Sequence, residues 1–337
     1  MMQGLDTNGD RSPAPGLTMS TFRPIIKDLV QQVETVVLGK TQVIRMALSA
    51  MLGGGHVLLE DVPGVAKTIL VRCLAVASGC TFTRIQCTPD LLPSDVTGVS
   101  IFNQKTQEFE FRPGPIFSQI LVADEVNRAT PRTQSALLEA MAEGQVSVDG
   151  KTYRLEQPFI VFATQNPVEH EGTFPLPEAQ LDRFMVKLSV GYPNMVDESL
   201  LLEKTRLAHP IASMKAVTDG PTLMRMQTTV REVFVHERVR EYLLRIIART
   251  RDSTHLSLGA SPRASMALFR MAQSYAAVNG RGYALPDDVK QLARPVLEHR
   301  LVLNPESRLR RVSPEMVLRD ILEEVKIPAG IDNWKSA

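Results

Sequence analysis

Cysteine is scarce. The chain has only Cys73, Cys80 and Cys87, an odd number with no C-x-x-C pair, which argues against a disulfide frame or a zinc site. No apolar run approaches the roughly 18 residues that suggest a membrane span. An excess of one charge is also missing: 38 Lys and Arg face 37 Asp and Glu, a net charge of +1 with His neutral. That balance gives no support to general binding of nucleic acid or anionic membrane, though a local basic patch is compatible with it. Internal repeats and low-complexity tracts are not evident. The segment Met1 to Asp6 has neither the basic nor the apolar part of a secretory signal. Together these absences lead to the expectation of a soluble protein in a reducing, cytoplasmic setting.

What is present suffices for a packed fold. The 337 residues are 44% hydrophobic and 22% charged, close to a globular average, and suit two domains. Residues 1–20 are rich in Gly, Asp, Asn, Ser and Pro and are expected to be disordered, with Met19 an alternative start of translation. Phe22, Ile25, Ile26, Leu29, Val30, Val33 and Val36 then recur at helical spacing, up to Gly39. From 56 to 192 short apolar runs alternate with helical ones. Strands are expected at His56 to Glu60, Phe82 to Cys87, Gln119 to Asp124, Phe159 to Thr164 and Phe184 to Ser189. Short apolar strands separated by helices imply a parallel five-stranded sheet covered on both faces, an α/β core over 21–192. Two hairpins interrupt it, one at 97–111 and one around Asp149-Gly150. Past Tyr192-Pro193 the strands stop. Helices are expected at 196–208, 236–250, 263–278 and 286–300, making 193–337 a small helical domain.

Between the first strand and its helix lies Asp61-Val62-Pro63-Gly64-Val65-Ala66-Lys67-Thr68. A phosphate-binding loop needs backbone N–H groups, a lysine for the β and γ oxygens and a hydroxyl for Mg²⁺. Lys67 and Thr68 fit the last two roles. Asp61 and Ala66 stand where the general pattern has glycine, so an ordinary strand-to-helix turn remains an alternative. Asp124 and Glu125 end a buried strand. One carboxylate there suits a helix N-cap; two suit nucleotide hydrolysis, with Asp124 toward Mg²⁺ and Glu125 activating water. Asn166, past the next strand, either bridges γ-phosphate and water or makes an Asx turn before Pro167. Arg183 precedes the fifth strand. Arg263 lies in the first turn of a helix, where the dipole disfavours a cation, so it points to an anionic partner or is simply solvated. His170 between Glu169 and Glu171 has no second His or Cys at ligand spacing, and metal binding is not expected there.

With these residues assembled, the sequence resembles the MoxR family of AAA+ ATPases from about Phe22 to the final helices. The phrases that carry the likeness run in order: Glu60 to Thr68, Thr88-Pro89-Asp90-Leu91-Leu92-Pro93-Ser94-Asp95, Gly114-Pro115-Ile116-Phe117 and Asp124-Glu125-Val126-Asn127-Arg128-Ala129. Ala163-Thr164-Gln165-Asn166-Pro167 and Pro175 to Phe184 follow. The resemblance implies an AAA+ P-loop core with inserted β-hairpins and an all-helical lid. It implies a Walker A loop from Asp61 through Ile69, Walker B at Asp124-Glu125, sensor 1 at Asn166, an arginine finger at Arg183 and sensor 2 at Arg263. Val37-Leu38-Gly39 matches the segment near the adenine. ATP and Mg²⁺ are the implied cofactors, with Thr68 and Asp124 toward the metal. A hexameric ring is implied, with Arg183 reaching the neighbour's site and Arg263 acting in cis or in trans. The implied role is chaperone-like remodelling or maturation of a client enzyme complex, including cofactor or metal insertion, with a von Willebrand factor A-domain partner. A nucleic-acid motor and a nucleotide-gated scaffold without turnover are the alternatives; near-neutral charge argues against the first, and the second is motivated by Ala66.

Overall fold

The computed structural model describes residues 15–167, 172–205 and 210–328; residues 1–14 and the Glu169-His170-Glu171 triplet lie outside that description. Helices α1 (Met19–Glu34) and α2 (Thr41–Leu52) precede β1 (His56–Glu60), α3 (Lys67–Ser78) and β2 (Phe82–Gln86). A short α4 (Pro93–Thr97) leads into the hairpin β3 (Gly98–Asn103) and β4 (Glu108–Pro113). Then come β5 (Ile120–Asp124), α5 (Pro131–Glu143), the hairpin β6 (Gln145–Val148) and β7 (Lys151–Arg154), β8 (Ile160–Gln165), α6 (Glu178–Leu181) and β9 (Phe184–Leu188). The remainder is helical: α7 (Met195–Thr205), α8 (Gly220–Arg231), α9 (Glu237–Arg251), α10 (Pro262–Val278), α11 (Pro286–Leu297), α12 (Pro305–Leu309) and α13 (Pro314–Glu324). The short strands Leu256–Leu258 and Val302–Leu303 pair within it.

The five apolar runs form one parallel sheet in the order β2-β5-β8-β1-β9. Every residue of β5 is buried, as expected of a strand covered on both faces. The order places the carboxyl ends of β5, β8 and β1 side by side, where ligands gather in open α/β sheets. Both hairpins stand apart from this sheet as antiparallel pairs. Asp149 and Gly150 form the two-residue turn between β6 and β7 with φ of +50° and +73°, as the Asp-Gly signal requires. Phe111 stacks on Tyr153 at 4.1 Å and meets Phe117 edge-on at 5.5 Å, joining the two hairpins.

One expectation needs correction. Residues 15–18 are ordered onto α8 rather than disordered, and Met19 already begins α1. Leu17 is buried, its N–H donates to Thr229 Oγ1 at 2.6 Å, and Thr229 Oγ1 donates to the Leu17 carbonyl at 3.0 Å. The polar composition of the segment concealed this, because the slot that accepts Leu17 is built by residues some 200 positions later. The packing also crosses position 192. Leu48 and Met51 of α2 share one hydrophobic cluster with Leu268 and Met271 of α10, and Gln227 Nε2 donates to the Met51 carbonyl at 2.7 Å.

β9 is an edge strand, and the helical part covers its open side. Arg300 donates to the carbonyls of Phe184 at 2.6 Å and Met185 at 3.3 Å, and His299 Nε2 lies 3.2 Å from the Phe184 carbonyl. This removes a free edge that would otherwise template pairing with another chain.

Two histidines, His56 half-buried and His299 buried, give the fold a pH dependence. His56 Nδ1 accepts from the Val161 N–H at 3.0 Å, so Nε2 carries the proton and donates to the Met141 carbonyl at 3.0 Å. Burial lowers its pKa from 6.5 to about 4, against an upward pull from the Met141 carbonyl. Burial and then the Arg300 charge hold His299 well below the ordinary value. Between pH 6.5 and 4 the unfolded chain therefore binds protons that the folded chain refuses. Stability present above pH 6.5 is lost as the pH falls toward 4, by about 3 kcal/mol for His56 alone. Urea unfolding at pH 7.5 and 4.5 is expected to show this loss, and His56→Gln to show a smaller one.

Candidate functional site

A cavity of about 550 Å³ opens at the carboxyl edge of the sheet, between the β1–α3 loop and α7. The loop is held from behind by Asp61. Its Oδ2 accepts from the Gly191 N–H at 2.6 Å and Ser189 Oγ at 2.7 Å, and its Oδ1 from the Val62 N–H at 2.9 Å. Burial works to raise the Asp61 pKa, but these hydrogen bonds outweigh it and hold the carboxyl below its ordinary value. The residue that breaks the glycine pattern thus pins the loop to the segment after β9. Lys67 Nζ donates to the carbonyls of Asp61 and Val62, which lays the lysine along the loop. Burial lowers its pKa, opposed by the charges of Asp61, Asp124 and Glu125.

Helix α3 begins at an N-cap, Ala66, that has no side-chain acceptor to offer. A helix start without a capping side chain, opening on a cavity beside a lysine, is a place for an anion. Across the cavity Asp124 is fixed through both oxygens: Oδ2 accepts from Thr68 Oγ1 at 2.9 Å and Oδ1 from Thr164 Oγ1 at 2.7 Å. Glu125 sits at φ +55°, and its N–H donates to Thr164 Oγ1 at 2.8 Å. Left-handed backbone costs a non-glycine residue roughly 1–2 kcal/mol. Such strain persists where surrounding structure enforces it, often at functional positions. Here it turns the Glu125 carboxylate away from the Asp124 side chain, toward Gln86 Nε2 at 3.0 Å and Arg128 at 3.2 Å.

The expected residues divide cleanly. Val37, Leu38, Pro63 to Ile69, Asp124, Glu125 and Asn166 line the cavity. Gly39, Asp61 and Val62 lie behind its wall; Gly39 is so close to Asp197 that a Cβ there would come 1.8 Å from Asp197 Oδ2. Arg183 and Arg263 do not line it. Arg183 donates to the Leu138 carbonyl, and Arg263 lies 3.8 Å from Asp182.

Models of two families match the chain: the ATPase family associated with various cellular activities over residues 56–186, and the AAA lid domain over 248–321. The chain is 42% identical to Chaperone MoxR1 of Mycobacterium tuberculosis over 88% of its own length and 81% of that protein's. It is 30% identical to Protein MoxR of Paracoccus denitrificans, over 93% of this chain and 96% of the other. It belongs to the MoxR family of AAA+ ATPases. It is also 50% identical to YeaC of Bacillus subtilis, an uncharacterised protein, over 91% and 96% of the two chains. A solved structure of a candidate ATPase from Cytophaga hutchinsonii superposes with a TM-score of 0.86 at 39% identity, covering 92% of this chain and 97% of that one.

As a MoxR-family ATPase the chain hydrolyses ATP, and among the cavity residues that escaped the sequence reading three hold its carboxylates. Arg84 Nε donates to Asp124 Oδ2 at 2.7 Å, Gln86 reaches Glu125, and Thr164 bridges Asp124 and the Glu125 N–H. Their signal was available in β2: Arg84 and Gln86 are two apart at the carboxyl end of a strand and so share a face. Nothing local says that this face turns toward β5.

Ala66 has φ +65° and ψ +25°, the left-handed region where a Cβ is penalised. Ala66→Gly is expected to stabilise the protein by about 1 kcal/mol in chemical unfolding, less the extra entropy glycine gives the unfolded chain. The loop already holds this conformation with alanine, so ATP turnover should change less than about twofold.

Proposed function

We propose that the protein couples hydrolysis of ATP with Mg²⁺ to the remodelling or maturation of a client protein, working as a ring in which each site is completed by a neighbour. The observation that carries this reading is the division of the candidate site residues between two places. Lys67, Thr68, Asp124, Glu125 and Asn166 converge on one cavity, whereas Arg183, bonded to the Leu138 carbonyl, and Arg263, paired with Asp182, lie outside it. Sequence alone left Arg263 open between cis and trans; its pairing with Asp182, next to Arg183, supports trans.

The donor set fits a nucleotide with a hard divalent ion. Thr68 Oγ1 and Asp124 Oδ2 are neighbours at 2.9 Å, both oxygens, and suit Mg²⁺. No group of three His, Cys, Asp or Glu that could hold a metal lies among the described residues, so Mg²⁺ would be held here together with the nucleotide. Mg²⁺ would neutralise charge on the β and γ phosphates. Lys67 and the first turn of α3 hold the phosphates, Glu125 takes a proton from the attacking water, and Asn166 orients that water. Val37, Leu38, Leu201 and Leu202 supply the apolar walls of the same cavity, which suit the base.

A client protein fits the exposed hairpin β3–β4 better than a nucleic acid does. Val99, Ile101, Phe102 and Phe109 are exposed there, and Glu108 and Glu110 balance Lys105 and Arg112, so the hairpin offers apolar surface without the excess positive charge that nucleic-acid binding draws on. The direct test is ATP turnover per protomer over a wide range of protein concentration. Turnover should rise steeply as rings form. Flat turnover with a monomer by sizing would exclude completion in trans, and steep salt-sensitive stimulation by DNA would favour the motor.

A further inference from the structure

We propose that Asp182 is a positioning residue that ties the turn carrying Arg183 to the start of the helix carrying Arg263, so that one carboxylate fixes how these two segments are presented to the neighbouring protomer's site. The inference rests on the reading above that these arginines act in trans, and it assigns the residue that aligns them.

Asp182 gathers partners from two places in the helical part, the turn after α11 and the start of α10. Its Oδ1 accepts from Arg300 Nε at 2.8 Å and from Ser261 Oγ at 3.2 Å. Its Oδ2 lies 3.1 Å from the same Ser261 Oγ and 3.8 Å from Arg263. The Asp182 carbonyl also accepts from Arg300 at 3.3 Å. Ser261 is meanwhile the N-cap of α10: its Oγ accepts from the Ala264 N–H at 3.1 Å while its proton goes to Asp182. The carboxylate next in sequence to Arg183 therefore holds the cap of the helix whose first turn carries Arg263.

These contacts exceed what tethering the helical part requires. Arg300 and His299 already cover the β9 edge through the carbonyls of Phe184 and Met185. Beyond its bonds with Arg300, the Asp182 carboxylate also reaches the start of α10 through Ser261 and Arg263. Arg263 stands at a helix N-terminus, where the dipole opposes a cation, and where it is close to the Arg300 charge. The Asp182 carboxylate offsets both. The Arg263 side chain remains 52% exposed and its ion pair is long at 3.8 Å, so the guanidinium is aimed but not consumed. Arg300, by contrast, is nearly buried, with a side-chain exposure of 2%, and is the fixed anchor of the group.

Removing the carboxylate altogether would leave the Arg300 charge buried without a partner and endanger the fold. Asp182→Glu keeps an anion for Arg300 but moves it by one methylene. Ser261→Ala cuts only the α10 side. Each variant is assayed alone and mixed with excess Glu125→Gln protomers, whose own sites are inactive but whose arginines are intact. Asp182→Glu should lose about tenfold in kcat with KM for ATP within about twofold, and Ser261→Ala severalfold with the same split. Mixing should restore turnover, because the variant's intact cavity then meets unaltered arginines. Wild-type turnover in both variants overturns the assignment, as does a loss that mixing does not repair while Arg183→Ala is repaired in the same assay. If Arg183→Ala itself is not repaired, the trans reading fails first and the assignment falls with it.

Discussion

Glu125→Gln should lower ATP turnover by about 10²–10⁴-fold, the range for loss of a general base, while ATP binding stays within about twofold. The substitution keeps the side chain's shape and removes only its ability to take a proton. Glu125 is not the carboxylate that Thr68 and Thr164 hold; that is Asp124, so the phosphate and metal end of the cavity is left intact. The strained φ of +55° is enforced by Thr164 through the backbone and survives the change. Titration with a fluorescent ATP analogue beside a steady-state assay separates the two quantities. Equal loss of binding and turnover would mean that Glu125 holds the nucleotide instead of activating water.

Arg183→Ala should cost about 10³-fold or more in turnover, as an arginine supplied to a transferring phosphoryl group does elsewhere. Nucleotide affinity of the isolated protomer should not move, because Arg183 is outside the cavity and bonds the Leu138 carbonyl of α5. The rise of turnover with protein concentration should disappear even though rings still form by sizing. A variant that retains that rise would show that another group completes the site. Loss of affinity in the protomer would place the arginine in its own cavity.

The reach of sequence reasoning followed the range of the forces involved. The five sheet strands were legible because a strand covered on both faces must be apolar along its length, and β5 and β8 are. The Asp149-Gly150 turn was legible because its torsions belong to those two residues. Helices α2 and α8 were not singled out, since each is defined by the surface it packs on: Gln227 of α8 seeks the Met51 carbonyl of α2, across most of the chain. The docking of Leu17 on Thr229 was hidden for the same reason.

At the site the same division holds. The family resemblance was legible in the order of motifs along the chain, and the loop with Lys67 and Thr68, the adjacent carboxylates Asp124 and Glu125, and the two arginines stood out as candidates, because each motif is a pattern within one short segment. Sequence could also state that Asp61 and Ala66 depart from glycine. Only the tertiary structure decided what those departures do: Asp61 ties the loop to Ser189 and Gly191, and Ala66 accepts a left-handed backbone. It alone brought Arg84, Gln86 and Thr164 to the carboxylates and set Arg263 against Asp182. Local spacing fixes which side chains share a turn or a strand face, whereas hydrogen bonds between strands and across domains depend on register and packing that no short stretch of chain contains.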